Sequence, residues 1–265
     1  MSLLPDHQIR RLSAPKLYTF TLTGQAAAAA AARNVPVTHA VDVQTLTKQF
    51  SDQEPALLAE VLALEVGASA TFEQHDVIIS CAENPKPLIS PFSDTIVREA
   101  LLPHINPDTP VKIPSYGLSS YGYDIRLGSD FLVEEEQTVV DVLHPEAKAQ
   151  TRFDGRLGFI LKPGKMALAV SMERICVPND VTVICMPKST LARLGLEASI
   201  TPLEAGWEGY VTLELYNKSA NPILLHPGIG IMQLLFAFGE PCEVTYAMRG
   251  GKYMNQPAQV VPAQN

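Results

Sequence analysis

Three short segments carry residues whose types and spacing could do chemistry. In Pro187-Lys188-Ser189-Thr190-Leu191-Ala192-Arg193-Leu194-Gly195, a basic residue and two hydroxyls open a helix expected over 189–194, with its first residues as N-cap and first turn. Helix starts expose unpaired N–H groups and a positive dipole end, which suit phosphate. Ser189 and Arg193 are four apart and share a face. An ordinary capped surface helix would read the same way locally. The second segment is Thr201-Pro202-Leu203-Glu204-Ala205-Gly206-Trp207-Glu208-Gly209-Tyr210, running into Val211-Thr212-Leu213-Glu214-Leu215-Tyr216-Asn217. Strand alternation puts Val211, Leu213 and Leu215 on one face and Thr212 and Glu214 on the other. Glu214 there either faces water or stands in a polar pocket, where burial would fit it to move protons. The third segment is Tyr246-Ala247-Met248-Arg249-Gly250-Gly251-Lys252-Tyr253-Met254-Asn255-Gln256. Paired glycines, basic residues and amides suit a lid over phosphates, although an unremarkable C-terminal tail reads similarly.

One metal signature has to be excluded beside these segments. Cys81-Ala82-Glu83 resembles the first half of a zinc deaminase signature, and Pro241-Cys242 begins the second. The second half needs a further cysteine three residues on, and Thr245 stands there. A three-ligand site cannot be completed from these two segments. The six histidines are scattered without metal spacing. No zinc is expected.

The chain that must position these segments has 265 residues and a net charge of −8, with 46% of residues hydrophobic. That is enough apolar material for a sizeable core. The acidic balance argues against a polymeric nucleic acid or an anionic membrane as partner. Any phosphate site must be a local cluster of donors, which suits a small nucleotide. Four cysteines without a C-x-x-C pair suit a reducing compartment. The opening MSLLPDHQIRRL lacks the apolar core of a signal peptide, and no apolar run reaches the ~18 residues of a membrane span. A cytoplasmic protein is expected.

Three zones divide the sequence. Residues 1–13 suggest a short helix beginning after Pro5-Asp6. Residues 14–87 look like a small α/β segment with strand-like LYTFTLTG and VIIS, an alanine run over 26–32 and a helix in EPALLAEVLALEVG. No chemistry can be assigned to this zone. Residues 88–265 read as mainly β, with short apolar runs such as YDIRLGSDF, MALAVSMERICVPND, VTVICMPKS and YVTLELYNKS broken by turn residues. Such spacing argues for a sandwich or barrel.

The stretches SSYGYDIRLGSDF, PKSTLARLGL, TPLEAGWEGYVTLELYN, GIGIMQLLF and CEVTYAMRGGKYMNQ occur together and in order. In that combination, residues 88–256 resemble the metal-independent dCTP deaminases of the dUTPase-like superfamily, and SLLPDHQIRRL resembles that family's N-terminus. The resemblance implies a distorted dUTPase-like β-barrel, assembled as a homotrimer with sites between subunits. It implies conversion of dCTP to dUTP and ammonia, with Mg2+ carried on the triphosphate. By the same resemblance, Glu214 is the general acid and base. Ser189 and Arg193 hold water, base and carboxylate in place, and Lys188, Ser189 and Thr190 contact phosphate and base. Leu191, Ala192, Thr212, Leu213, Gln233, Tyr246, Lys252 and Gln256 complete the nucleotide contacts. Residues 14–87 look inserted. Pro187 stands where the family commonly has glycine, and Pro257-Ala258 where it usually has an Arg-Gly pair.

Other functions remain open on the sequence. A dUTP hydrolase would need an Asp to activate water against the α-phosphate, and Glu204 and Trp207 stand where hydrolases of this superfamily carry Asp and Tyr, which counts against it. A bifunctional deaminase and dUTP diphosphatase is less disfavoured, because Glu214 is available for the deamination. A non-catalytic nucleotide-binding regulator is disfavoured by the intact Ser189, Arg193 and Glu214.

Overall fold

The computed structural model describes residues 2–14, 16–22, 38–41, 61–64, 69–72, 77–83, 86–135, 139–145 and 148–264. The chain divides into two compact units, one of Met1–Ile9 with Leu88–Asn265 and one of Arg10–Pro87. None of the helices formed by the described residues is long and apolar enough to cross a membrane.

The chain opens with strand β1 (Ser2–Leu3) and helix α1 (Asp6–Ser13). Asp6 lies in the first turn of α1, and Arg10 and Arg11 in the last, matching the helix dipole. In the smaller unit, β2 (Lys16–Leu22), β3 (Thr38–Val41), β4 (Ser69–Phe72) and β5 (Val77–Glu83) form an antiparallel sheet in the order β3-β2-β5-β4. The strand-like LYTFTLTG and VIIS become β2 and β5, paired from Lys16↔Glu83 to Leu22↔Val77. The alanine run lies outside the described residues. So does the helix expected near 54–67, apart from Val61–Leu64, where Val61 is buried.

The larger unit is mostly β. Its strands are β6 (Ile89–Ser90), β7 (Val97–Leu102), β8 (Asn106–Ser119), β9 (Gly122–Glu134), β10 (Gln150–Asp154), β11 (Phe159–Leu161), β12 (Met166–Cys176) and β13 (Val181–Pro187). Helix α2 (Ser189–Arg193) follows, then β14 (Leu196–Ser199), β15 (Glu208–Asn217), β16 (Ile223–Leu225) and β17 (Gly230–Phe238). One curled antiparallel sheet runs β1-β17-β9-β12-β15-β14, with β13 on β17, β6 on β12, β10 on β9, and the β7–β8 hairpin joined through β8 to β9. Strands β11 and β16 pair separately. The sheet closes over Tyr123, Ile125, Leu127 and Phe131 of β9, Leu213 and Leu215 of β15, and Leu234 and Phe236 of β17, all fully buried. Strand alternation supplies this core: along β15 every second residue from Gly209 to Asn217 is buried.

The long β8 is the strand that apolar pattern does not announce. It carries Pro107, Pro110 and Pro114, which lack the N–H that a ladder needs. Its pairing to β9 is accordingly confined to residues 117–119.

Strand β12 changes register against β15 between Val170 and Arg174. Such irregularities bend a strand and leave polar groups to be satisfied locally. The Ser171 hydroxyl accepts the Val211 N–H at 2.9 Å and donates to the Glu173 carbonyl at 2.7 Å. The fully buried Glu173 carboxylate accepts the Arg126 N–H at 2.8 Å and Nε–H at 2.6 Å. Burial pushes the Glu173 carboxyl up, and the Arg126 guanidinium opposes that. This pair pins β9 to the bend in β12, where β15 is aligned.

Candidate functional site

Outward alternation on β15 sends Thr212 and Glu214 away from the core. There they line a cavity of about 330 Å³ with Met166 and Leu168 of β12, Leu203, Glu204 and Trp207 of the preceding loop, and Lys148. The volume is in the range of small-molecule sites. Glu214 is exposed along the strand and contributes to the wall of this cavity.

The tail folds over one side. Asn255 N–H donates to the Glu208 carbonyl at 2.8 Å, and Tyr210 N–H to the Gln256 carbonyl at 3.0 Å. Gln256 thus runs beside Gly209 as an isolated parallel bridge. A side chain at Gly209, which has a φ of 147°, would put its Cβ 2.7 Å from the Gln256 nitrogen, so this approach requires glycine. The Thr212 hydroxyl donates to Gln256 Oε1 at 2.7 Å. Trp207 Nε1–H donates to the Tyr253 carbonyl at 2.9 Å, and Tyr253 N–H to the Tyr246 hydroxyl at 3.1 Å. Arg249 pairs with Glu204 and lies 5.3 Å over the Tyr246 ring. Tyr246, Tyr253 and Gln256 therefore become cavity walls. The expected lid is a folded cover in this structure, held to the loop that carries Trp207.

The second group of expected residues gathers elsewhere in the unit. Helix α2 begins at Ser189 with Lys188 in the cap position, and no side chain caps it. This corrects the expected N-cap role of the helix's first residues: Lys188 has no short oxygen to return to the N–H groups. Leu191 is buried, whereas Ser189, Thr190, Ala192 and Arg193 are exposed. The expected shared face is present, with Arg193 Nη1 donating to Ser189 Oγ at 3.3 Å. Lys188 Nζ bonds the Asp124 carboxylate and lies 3.4 Å from Ser115 Oγ. Gln233 stands opposite Asp124 on one side and Met186 on the other in the sheet register.

The cavity thus takes in Thr212, Glu214, Tyr246 and Gln256 of the expected residues. Lys188 to Arg193, Gln233 and Lys252 are not among its walls. Leu213 is fully buried on the core face, so what it can offer a ligand is main chain. Lys252 Nζ donates to the Gln264 carbonyl at 3.2 Å. Asp124 and Ser115 were not singled out by sequence. The available signal was a charged residue between the apolar Tyr123 and Ile125 on a strand with neighbours on both sides. Asp124 is 5% exposed, and its Oδ1 is buried without a hydrogen-bond partner. Burial pushes its carboxyl above the ordinary value, and Lys188 draws it back. Among the described residues no group of three or more His, Cys, Asp or Glu could hold a metal.

A family model described as dCTP deaminase-like matches residues 93–239. The chain is 39% identical over 180 residues to a dCTP deaminase from Acidobacterium capsulatum, covering 67% of this chain and 91% of that protein. It is 42% identical over 180 residues to one from Halorhodospira halophila, covering 66% and 90%. It is 46% identical over 153 residues to one from Novosphingobium aromaticivorans, covering 56% and 82%. Among solved structures it is similar to a 2'-deoxycytidine 5'-triphosphate deaminase from Agrobacterium tumefaciens, with 23% identity, a TM-score of 0.39, and 46% of this chain and 40% of that chain covered. The sheet that closes over Tyr123, Leu213 and Phe236 and the outward Glu214 on β15 fall within the matched residues, and this chain belongs to the dCTP deaminase-like family.

Proposed function

We propose that this chain deaminates the cytosine of dCTP, giving dUTP and ammonia, with Glu214 as the group that moves the protons. The observation that carries this is the placement of Glu214: an outward carboxylate in a cavity of nucleotide scale, beside Thr212 and under the Tyr246–Gln256 cover. The reaction needs a water oxygen bonded to C4 of the base and the amino group released. Glu214 takes a proton from the attacking water and delivers one to N3, so that C4 becomes tetrahedral. The second water proton then passes to the amino nitrogen, the C4–N bond breaks with its electron pair, and ammonia leaves as the C4 carbonyl forms. One group serving two transfers suits a carboxylate reachable from both atoms.

The reading assigns water and carboxylate positioning to Ser189 and Arg193, and phosphate contacts to Lys188 and Thr190. Ser189, Thr190 and Arg193 project from α2, and Lys188 precedes it with its Nζ on Asp124; all lie outside the cavity lining, so in this proposal a second copy brings its helix to the first copy's Glu214. A homotrimer with sites between subunits supplies that arrangement. Magnesium fits as an ion held mainly by the triphosphate. The carboxylate nearest Lys188, Asp124, is buried and paired with that lysine, so no side chain is assigned to the ion. Carried on the triphosphate, it would neutralise phosphate charge. A cytoplasmic setting fits the cysteines, with Cys185 and Cys242 present as thiols.

Incubating the pure protein with Mg2+ and, separately, dCTP, dUTP and dCMP, then resolving products by chromatography, tests the reading. The expected result is dUTP with equimolar ammonia from dCTP. No change in dCTP at high enzyme concentration would refute it.

A further inference from the structure

The fold past Gln256 carries a device that the motif residues do not explain. At Val260 every group of one residue is engaged. Its side chain is 2% exposed and packs with Leu132, Leu168 and Val170, flanked by Met166 and Tyr210. Its N–H donates to Asp130 Oδ2 at 2.7 Å, and its carbonyl accepts from Arg152 Nη2 at 3.0 Å. The other terminal nitrogen of Arg152 bonds the same Asp130 oxygen. Asp130 on β9 and Arg152 on β10 thus form a charged clamp that reads a main-chain donor and acceptor together. The next residues, Val261, Pro262 and Ala263, line the cavity that contains Glu214. Gln264 then ties back to the cover, its N–H donating to the Tyr253 hydroxyl at 3.1 Å and its carbonyl accepting from Lys252.

We propose that Asp130 and Arg152 are positioning residues for the nucleotide site: they clamp Val260 so that Val261–Ala263 stand as a wall of the cavity. This rests on the reading of that cavity as the nucleotide site. Neither clamp side chain lines the cavity, so both act through the tail. A wall held this way contributes to binding in the ground state and the transition state alike. Its loss raises KM and leaves kcat nearly unchanged.

The test uses the full chain carrying Arg152→Ala, a second chain truncated after Pro257 that keeps every barrel residue, and Arg156→Ala as a control. Arg156 pairs with Asp154 and does not touch the tail. Amide hydrogen exchange over 258–264 and steady-state kinetics with dCTP are measured. Arg152→Ala is expected to speed exchange across 258–264 and to raise KM about tenfold with kcat within about twofold, the effect of losing a charge-assisted hydrogen bond to a binding wall. The truncated chain should show the same KM rise and the control neither change. Unaltered exchange in Arg152→Ala overturns the clamp. Faster exchange with unaltered KM overturns its role at the site. If the wild-type chain turns over no dCTP, the deaminase reading fails separately. The clamp then stands or falls on exchange alone.

Discussion

The Glu214 cavity and the Ser189–Arg193 helix belong to one folding unit, yet the chain finishes them differently. Around Glu214 the cover is already tied down: Thr212 holds Gln256, Trp207 holds Tyr253, and Arg249 holds Glu204. Helix α2 is anchored through Leu191 and turns Ser189, Thr190 and Arg193 outward. Exposed polar side chains on a five-residue helix give the fold little, since surface pairs contribute about 0–1 kcal/mol. The contrast separates side chains tied down within the chain from side chains left exposed on α2, which the proposed trimer would use as the second half of a site. In that trimer α2 would face the neighbouring copy's cavity.

The sharpest way to break this contrast is to disable each half. Glu214→Gln keeps shape but cannot shuttle protons, and should lower kcat by ~10²–10⁴ while dCTP titrations still show binding. Retention of more than a tenth of wild-type turnover would remove Glu214 from the role.

Arg193→Ala should also abolish most turnover, by releasing the water and carboxylate it positions. Mixing decides whether the halves come from one chain. If each site takes Glu214 from one copy and α2 from another, co-assembled Glu214→Gln and Arg193→Ala chains regain about a quarter of wild-type sites at random composition. Activity that stays at the level of the separate variants would place both halves in one chain and dissolve the contrast.

A milder perturbation tests the finished half. Thr212→Val keeps volume and removes the bond to Gln256. Losing one neutral hydrogen bond of ~1 kcal/mol should raise KM for dCTP about fivefold, with little change in kcat. A fall in kcat equal to the fall in kcat/KM would instead put the Thr212 hydroxyl in the chemical step.

Legibility in the sequence followed the same division. Period-2 alternation located the Thr212 and Glu214 face because burial of Val211, Leu213 and Leu215 dictates it. The i, i+4 spacing placed Ser189 with Arg193. What alternation could not give was long-range pairing. Asp124 and Ser115 meet Lys188 only because β9 joins β8 and β17, a register set by the whole sheet. The Val260 clamp is likewise invisible locally, since Asp130, Arg152 and Val260 are far apart in sequence and carry no motif. The β8 strand was hidden by its own prolines, whose missing N–H groups an edge position tolerates.

The smallest expected effect lies in the helix half, at Asp124. Burial is the largest influence on its carboxyl and pushes it up, with Lys188 opposing. A folded-state value above the unfolded one means the carboxyl favours the fold most in acid. That contribution is lost as pH rises through the folded-state value. Asp124 therefore contributes less to the fold at neutral pH than in acid. Asp124→Asn should raise the melting temperature by about 1–2 °C near pH 7, and the gain should shrink as pH falls towards the ordinary aspartate range. Nucleotide affinity should fall at the same time, because Lys188 loses the carboxylate that aims it. A gain in stability with a loss of binding is the pattern of a residue kept for function. Melting scans from pH 4 to pH 8, beside dCTP titrations, check both signs. If the Asp124→Asn chain melts lower than wild type at pH 7, the Lys188 pair outweighs the burial cost. The cluster behind α2 would then be scaffold, and the half-site reading of the helix would rest on Ser189 and Arg193 alone.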